Sequence, residues 1–177
     1  MRKQQTEEVS PELRRPERTE RGGLVEDLRL VGLLEAIPIR LAYKTAFITN
    51  FYREPLLQAI ELTYGLTRPE WTILICLAYE DGLNPKDICA FTEQPRNNVS
   101  RGANMLEAKG LITRAPDPHD ARRAVLCLTP KGADLYARIM PTFVERETLV
   151  FSALSATERR TLDQLLTKVA KAMPIER

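Results

Sequence analysis

The stretch QPRNNVSRGANMLEAKGLITR, Gln94–Arg114, changes periodicity part-way along, and that change decides the fold. Gln94-Pro95 opens a helix that runs to about Lys109. At about 100° per residue, Val99, Ala103 and Leu106 fall on one side of it. Gly102 lies near them, where a missing side chain permits close contact with another helix. Gly110 stops the helix, and Leu111–Arg114 then reads as a short strand. A second short strand, Ala124–Leu128, follows a polar loop from Ala115 to Arg123 that is rich in turn formers.

Toward the N-terminus, Asn84-Pro85 starts a short helix, with Asn84 as cap and Ile88, Cys89 and Phe91 as its apolar residues. Before it, Thr67-Arg68-Pro69-Glu70 is a capping-box pattern, and Trp71, Leu74, Ile75 and Ala78 mark one apolar face. Gly82 is the expected stop of that helix, and Gly65 ends the preceding one. That longer segment starts near Pro38 and carries Leu41, Ile48 and Tyr52 at helical spacing, beside Tyr43, Phe47 and Phe51. Pro55 is expected to bend or divide it. Leu24, Leu28 and Val31 suggest a short amphipathic helix. Residues 1–23 read as a disordered arm, because Val9 and Leu13 are its only aliphatics after Met1 and cannot offset the ordering entropy.

Toward the C-terminus, Thr129-Pro130 caps a long helix with a stripe of Tyr136, Ile139, Met140, Phe143 and Val144, kinked at Pro141. Ser155-Ala156-Thr157-Glu158 is a second capping box. Behind it Leu162, Leu165, Leu166, Val169 and Met173 form one apolar stripe. The order helix, short helix, helix, strand, polar loop, strand, helix defines the fold class: mainly α with a small β-wing, a winged helix-turn-helix.

In such a unit the second helix enters the major groove of DNA. The exterior of the Pro95–Lys109 helix suits that task. It is centred on Asn97, Arg101 and Asn104, flanked by Asn98, Ser100 and Met105, with Arg96 in the first turn and no acidic residue before Glu107. Asn can pair with adenine and Arg with guanine through two hydrogen bonds each, and Ser and Asn suit phosphate oxygens. An ordinary solvated helix face would mix Glu with Lys and avoid Asn, a poor helix former. From Gln94 to Gly132 there are seven basic residues (Arg96, Arg101, Lys109, Arg114, Arg122, Arg123, Lys131) against three acidic ones (Glu107, Asp117, Asp120). Nucleic-acid binding needs such local positive charge to displace counterions. At the loop tip, Arg122 and Arg123 suit the minor groove, and Asp120 could hold Arg122 in a fixed direction. The plainer reading of that pair is a surface salt bridge of little energetic value.

The whole chain carries a formal charge of only +2, so its charge matters by location. No apolar run approaches the roughly 18 residues that span a bilayer, and no apolar stretch follows the charged N-terminus as in a secretory signal. The expectation is a cytoplasmic protein with no membrane partner. Cys76, Cys89 and Cys127 are far apart and odd in number, which fits reduced, buried thiols. With the single histidine, His119, they offer no metal-site spacing, and no cofactor is expected. His119 with Asp117 and Asp120 could suggest general-base chemistry, but no nucleophile stands nearby, so no catalytic residue is assigned. A winged helix that binds protein is the other alternative.

The run Asp120–Gly132 (DARRAVLCLTPKG) resembles the wing signature of the MarR family of bacterial regulators: Asp-x-Arg, an apolar strand, then Leu-Thr-x-x-Gly. Leu106–Arg114 resembles that family's passage from recognition helix to wing, and Gly65-Leu66-Thr67 with Glu70-Trp71 its entry into the second helix. The similarity covers about residues 36–172. It implies a homodimer on a palindromic double-stranded operator. The dimerisation helices would lie at 24–66 and 132–177, on either side of a winged helix at 67–131. It also implies that Arg96, Asn97, Asn98, Ser100 and Arg101 face the major groove, and that Asp120 and Arg122 form the minor-groove element. Family members often bind aromatic compounds or their acyl-CoA thioesters, and others sense oxidation through a cysteine. Here Arg40, Tyr43, Lys44 and Trp71 would suit an aromatic carboxylate or a CoA phosphate, in a repressor released by such an effector. The plainer reading has Trp71 in the core and both cations in solvent. Cysteine sensing is the alternative, although Cys76 and Cys89 lack an adjacent cation to lower the thiol pKa.

Overall fold

A computed structural model describes residues 28–117 and 123–173. They fall into two units that divide after Thr49. In the first, helix α1 is Leu28–Ala36, and helix α2, Arg40–Tyr64, begins. The expected arm over residues 1–23, and Leu24, lie outside the described residues. Leu33, Ile39, Leu41 and Ile48 of this unit are exposed.

In the second unit α2 runs unbroken through Pro55, so the expected division does not occur. Proline has no N–H for the carbonyl four residues back, that of Phe51. Arg146 Nη2 donates to that oxygen instead, at 2.9 Å, while its guanidinium lies 4.9 Å from the Phe51 ring centroid. Gly65 ends α2 with a φ of +62°, a conformation that favours glycine.

Helices α3 (Arg68–Tyr79), α4 (Pro85–Thr92) and α5 (Arg96–Ala108) follow. Each helix start matches its sequence signal. Thr67 N and Oγ1 both donate to Glu70 Oε2, at 2.8 and 2.7 Å. Asn84 Oδ1 accepts from the backbone of Lys86 and Asp87. The buried face of α3 differs from the expected stripe: Ile73 and Leu77 are buried with Trp71 and Leu74, whereas Ile75 and Ala78 are half-exposed. This helix is apolar on several sides and packs against α5, α6 and the wing, so its neighbours select the buried residues.

The wing pairs β1 (Ile112–Pro116) antiparallel with β2 (Ala124–Leu128), from Ile112 opposite Leu128 to Pro116 opposite Ala124. Its first strand starts one residue later and ends two residues further on than expected. Pro116 ends that strand, where a missing N–H is tolerated. Leu83 adds a third, short rung: Leu126 N donates to Leu83 O at 2.8 Å, and Gly82 N donates to Leu126 O at 3.1 Å. Gly82 is thus part of the turn that joins the wing, three residues beyond the end of α3.

Thr129 caps α6 (Pro130–Val150) by accepting from Gly132 N at 3.0 Å. Gly132 sits so close to the wing that a Cβ there would collide with the Leu111 carbonyl oxygen and lie 2.9 Å from Leu128 Cδ1. Leu135, Ile139 and Phe143 carry the buried stripe of α6, while Val144 is exposed, against expectation. Pro141 does not interrupt the helix. The capping box at Ser155 starts α7 (Ala156–Ala172), which buries no residue in the single chain.

Candidate nucleic-acid interface

Two helices at a sharp turn, followed by a ribbon, form the site. The turn between α4 and α5 is made by Glu93, whose φ of +53° is the one left-handed value outside glycine among the described residues. Thr92 helps hold it, its hydroxyl accepting from Gln94 N at 3.4 Å. The inner face of α5 then buries Val99, Gly102, Ala103 and Leu106. Gly102 lets α5 approach α3: a Cβ there would stand 3.0 Å from Ile73 Cδ1 and 3.2 Å from Pro69 Cβ. The expected close contact is therefore real, and its partner is the first turn of α3.

The outer face is as read from the sequence. Arg96, Asn97, Ser100, Arg101 and Asn104 are exposed, and Asn98 is half-exposed. Met105 stands 49% exposed beside them. Arg96 and Arg101 have no side-chain partner among the described residues.

Other cations of the segment hold the fold instead. Lys109 Nζ donates to the fully buried Glu70 at Oε1 and to the Gly65 carbonyl at 2.7 Å, pinning the end of α5 to the start of α3. Lys131 donates to the Lys109 carbonyl at 2.7 Å, covering the C-terminal end of α5. Arg114, on β1, donates to Glu107 through Nη1 and to Asn104 Oδ1 through Nη2 at 2.6 Å. Three of the seven basic residues counted in the sequence are thus engaged in local bonds, and Glu107 is neutralised by one of them. No sequence signal marked Arg114 as a partner of Asn104, because the two lie on different elements.

Asp120 and Arg122, the expected minor-groove pair, and His119 lie outside the described residues. Arg123 is exposed at the edge of the wing, and its carbonyl accepts from Asp117 N at 3.0 Å. Of the expected effector residues, Arg40 and Lys44 are exposed and Tyr43 is half-exposed. Trp71 is buried, as the plainer reading has it: it is 2% exposed and stacks on Tyr136 and Phe143, with ring centroids 5.8 and 5.0 Å away. It is a core residue, because the indole is the largest side chain available to fill the space between α3 and α6. The three cysteines are free but half-buried, not fully buried as expected. Burial pushes the Cys76 thiol pKa up, and burial together with Asp81 does the same for Cys127.

A capped helix, a second helix at a sharp turn with a cationic and amide outer face, and an adjoining two-stranded wing define a winged-helix DNA-binding protein. Residues 64–123 match the model of the MarR family. A putative transcriptional regulatory protein for the hcr operon of Thauera aromatica is 32% identical over 112 residues, spanning 63% of this chain and 68% of that protein. The transcriptional repressor MprA of Escherichia coli K12 is 29% identical over 107 residues, which cover 59% of this chain and 61% of MprA. The MepR–DNA complex of S. aureus superposes with a TM-score of 0.63 at 28% identity, covering 75% of this chain and 97% of MepR. The chain belongs to the MarR family and is a DNA-binding transcriptional regulator. No described helix is long and apolar enough to cross a membrane.

Proposed function

We propose that the chain is a homodimeric repressor that reads a palindromic operator with α5 and is released by a small aromatic acid or its acyl-CoA thioester. The observation that carries the reading is the outer face of α5, where Arg96, Asn97, Asn98, Ser100, Arg101 and Asn104 stand together without an acidic neighbour before Glu107. Arg101 and Arg96 supply the cations that base edges and phosphates require. Asp120, Arg122 and Arg123 add a minor-groove contact from the wing tip. Repression fits the likeness to MprA.

Dimerisation through residues 24–66 and 132–177 is supported by surfaces that a single chain leaves open. Leu165, Leu166, Val169 and Met173 form an exposed apolar stripe along α7. A cleft of about 270 Å³ between α6 and α7 has Val144, Phe151, Leu162 and Leu166 in its lining. Exposed apolar area of this kind marks an association surface. The effector part rests on Arg40, Tyr43 and Lys44, which follow one another at i, i+3 and i+4 on α2; Trp71 is left out of it.

The test is anisotropy of labelled duplex DNA against salt. Wild type is expected to bind random duplex at low salt, with log affinity falling linearly in log salt. Arg101→Ala should weaken binding, lower that slope by about one and relax base preference. Absence of any low-salt binding would defeat the reading. A thermal-shift screen of aromatic acids and their CoA esters, followed by DNA release, tests the effector.

A further inference from the structure

We infer that Arg114 is a specificity-determining positioning residue: it engages the Asn104 carboxamide by its oxygen and so presents Asn104 to the DNA as a hydrogen-bond donor. The inference rests on the reading that the outer face of α5 meets base edges. Asn104 and Glu107 stand three residues apart, on one edge of α5. Arg114 reaches both from β1, giving Nη2 to Asn104 Oδ1 at 2.6 Å and Nη1 to the Glu107 carboxylate. A guanidinium only donates, so the amide atom that faces it must be the oxygen. The flip of the amide is therefore dictated by chemistry. The two N–H hydrogens of Asn104 are left for an outside partner, on a residue that is itself exposed.

The consequence is a change of code. A free Asn reads adenine by donating to N7 and accepting from the N6 amino group. An amide oxygen that already accepts from a cation is a poorer acceptor for a second donor, and its N–H groups are stronger donors by polarisation. Such a group favours an edge with acceptors, as in guanine N7 and O6 or thymine O4. It disfavours cytosine, whose major-groove edge offers a donor. The same clamp keeps Glu107, 40% exposed on its side chain, paired beside the site, which limits repulsion of phosphate. Arg114 accordingly acts on recognition through two neighbours, without a base contact of its own.

Selection from a randomised duplex library with the full chain tests this, using wild type, Asn104→Ala, Asn104→Asp and Arg114→Ala, each checked for folding by its melt. In wild type one position of each half-site should favour guanine or thymine over cytosine by roughly tenfold. Asn104→Ala should flatten that position alone. Arg114→Ala should move it toward adenine, on top of a uniform loss of affinity from the released Glu107. Asn104→Asp keeps an acceptor for Arg114 and turns an acceptor outward, so it should favour cytosine or adenine there, even if Arg114→Ala folds poorly. A base profile that Arg114→Ala and Asn104→Asp both leave as in wild type would overturn the inference while low-salt binding of DNA persists. Loss of all duplex binding by wild type would remove the DNA reading and this inference together.

Discussion

Lys109→Met is the sharpest test of how the reading helix is held. Lys109 Nζ donates to Glu70 Oε1 and to the Gly65 carbonyl, and Glu70 is fully buried. After the substitution Glu70 Oε2 keeps Thr67 N and Oγ1, at 2.8 and 2.7 Å, but Oε1 loses its cation. Removing one partner of a buried ion pair costs about 3–5 kcal/mol, since a charge stays behind without compensation. The Lys109 side chain is 29% exposed, so water reaches part of the site. That argues for the lower end, about 3 kcal/mol. A chain of this size loses roughly 2–4 °C of Tm per kcal/mol, giving a fall of roughly 6–12 °C. Adding Glu70→Gln should recover part of the loss, because a buried amide is far less costly than a buried charge. The assay is thermal unfolding by circular dichroism at one fixed protein concentration, with all four members of the cycle. DNA affinity measured well below the transition should change less than about threefold, because Lys109 is spent on protein acceptors and adds no counterion release. A Tm within about 2 °C of wild type, or strict additivity of the two substitutions, would refute the reasoning.

Gly132→Ala should cost about 3 kcal/mol, or prevent folding, because its Cβ meets the Leu111 backbone where no side chain can yield; a denaturant titration measures it. Arg146→Ala should lower stability by about 1–2 kcal/mol, since it strips the Phe51 carbonyl of the donor that replaces the N–H missing at Pro55. Arg146→Lys, which restores a cation, should recover part of that in the same melts. The raised thiol pKa values of Cys76 and Cys127 mean that their thiolates form only at higher pH than in a free cysteine. Iodoacetamide labelling at pH 8, followed by mass spectrometry, should therefore be slower at both than in a cysteine peptide. Faster labelling of either would revive cysteine sensing.

Local chemistry made much of this protein readable in one dimension. Thr67, Asn84, Thr129 and Ser155 act within three residues of themselves, so these four helix starts followed from their own neighbours. The two faces of α5 followed from its periodicity alone, because Val99, Ala103 and Leu106 repeat at the pitch of a helix. The buried side of α3 did not follow, since a helix apolar on several sides takes its inner face from whatever packs on it. Trp71 was ambiguous for the same reason: an aromatic at a helix start suits a cleft or a core, and only Tyr136 and Phe143, more than sixty residues on, decide for the core. Pro55 looked like a break until Arg146 supplied the missing donor. Charge showed the greatest difference. A linear count credits every cation of Gln94–Gly132 to the DNA. Folding brings Lys109 to Glu70, Arg114 to Glu107 and Lys131 to the end of α5, and so leaves Arg96 and Arg101 as the open cations of the described reading helix. The residue types on that helix are a property of the chain. Which of their atoms remain available to a partner is decided by contacts between elements distant in sequence, because a hydrogen-bonding group already engaged in the fold is no longer equally free to read a base.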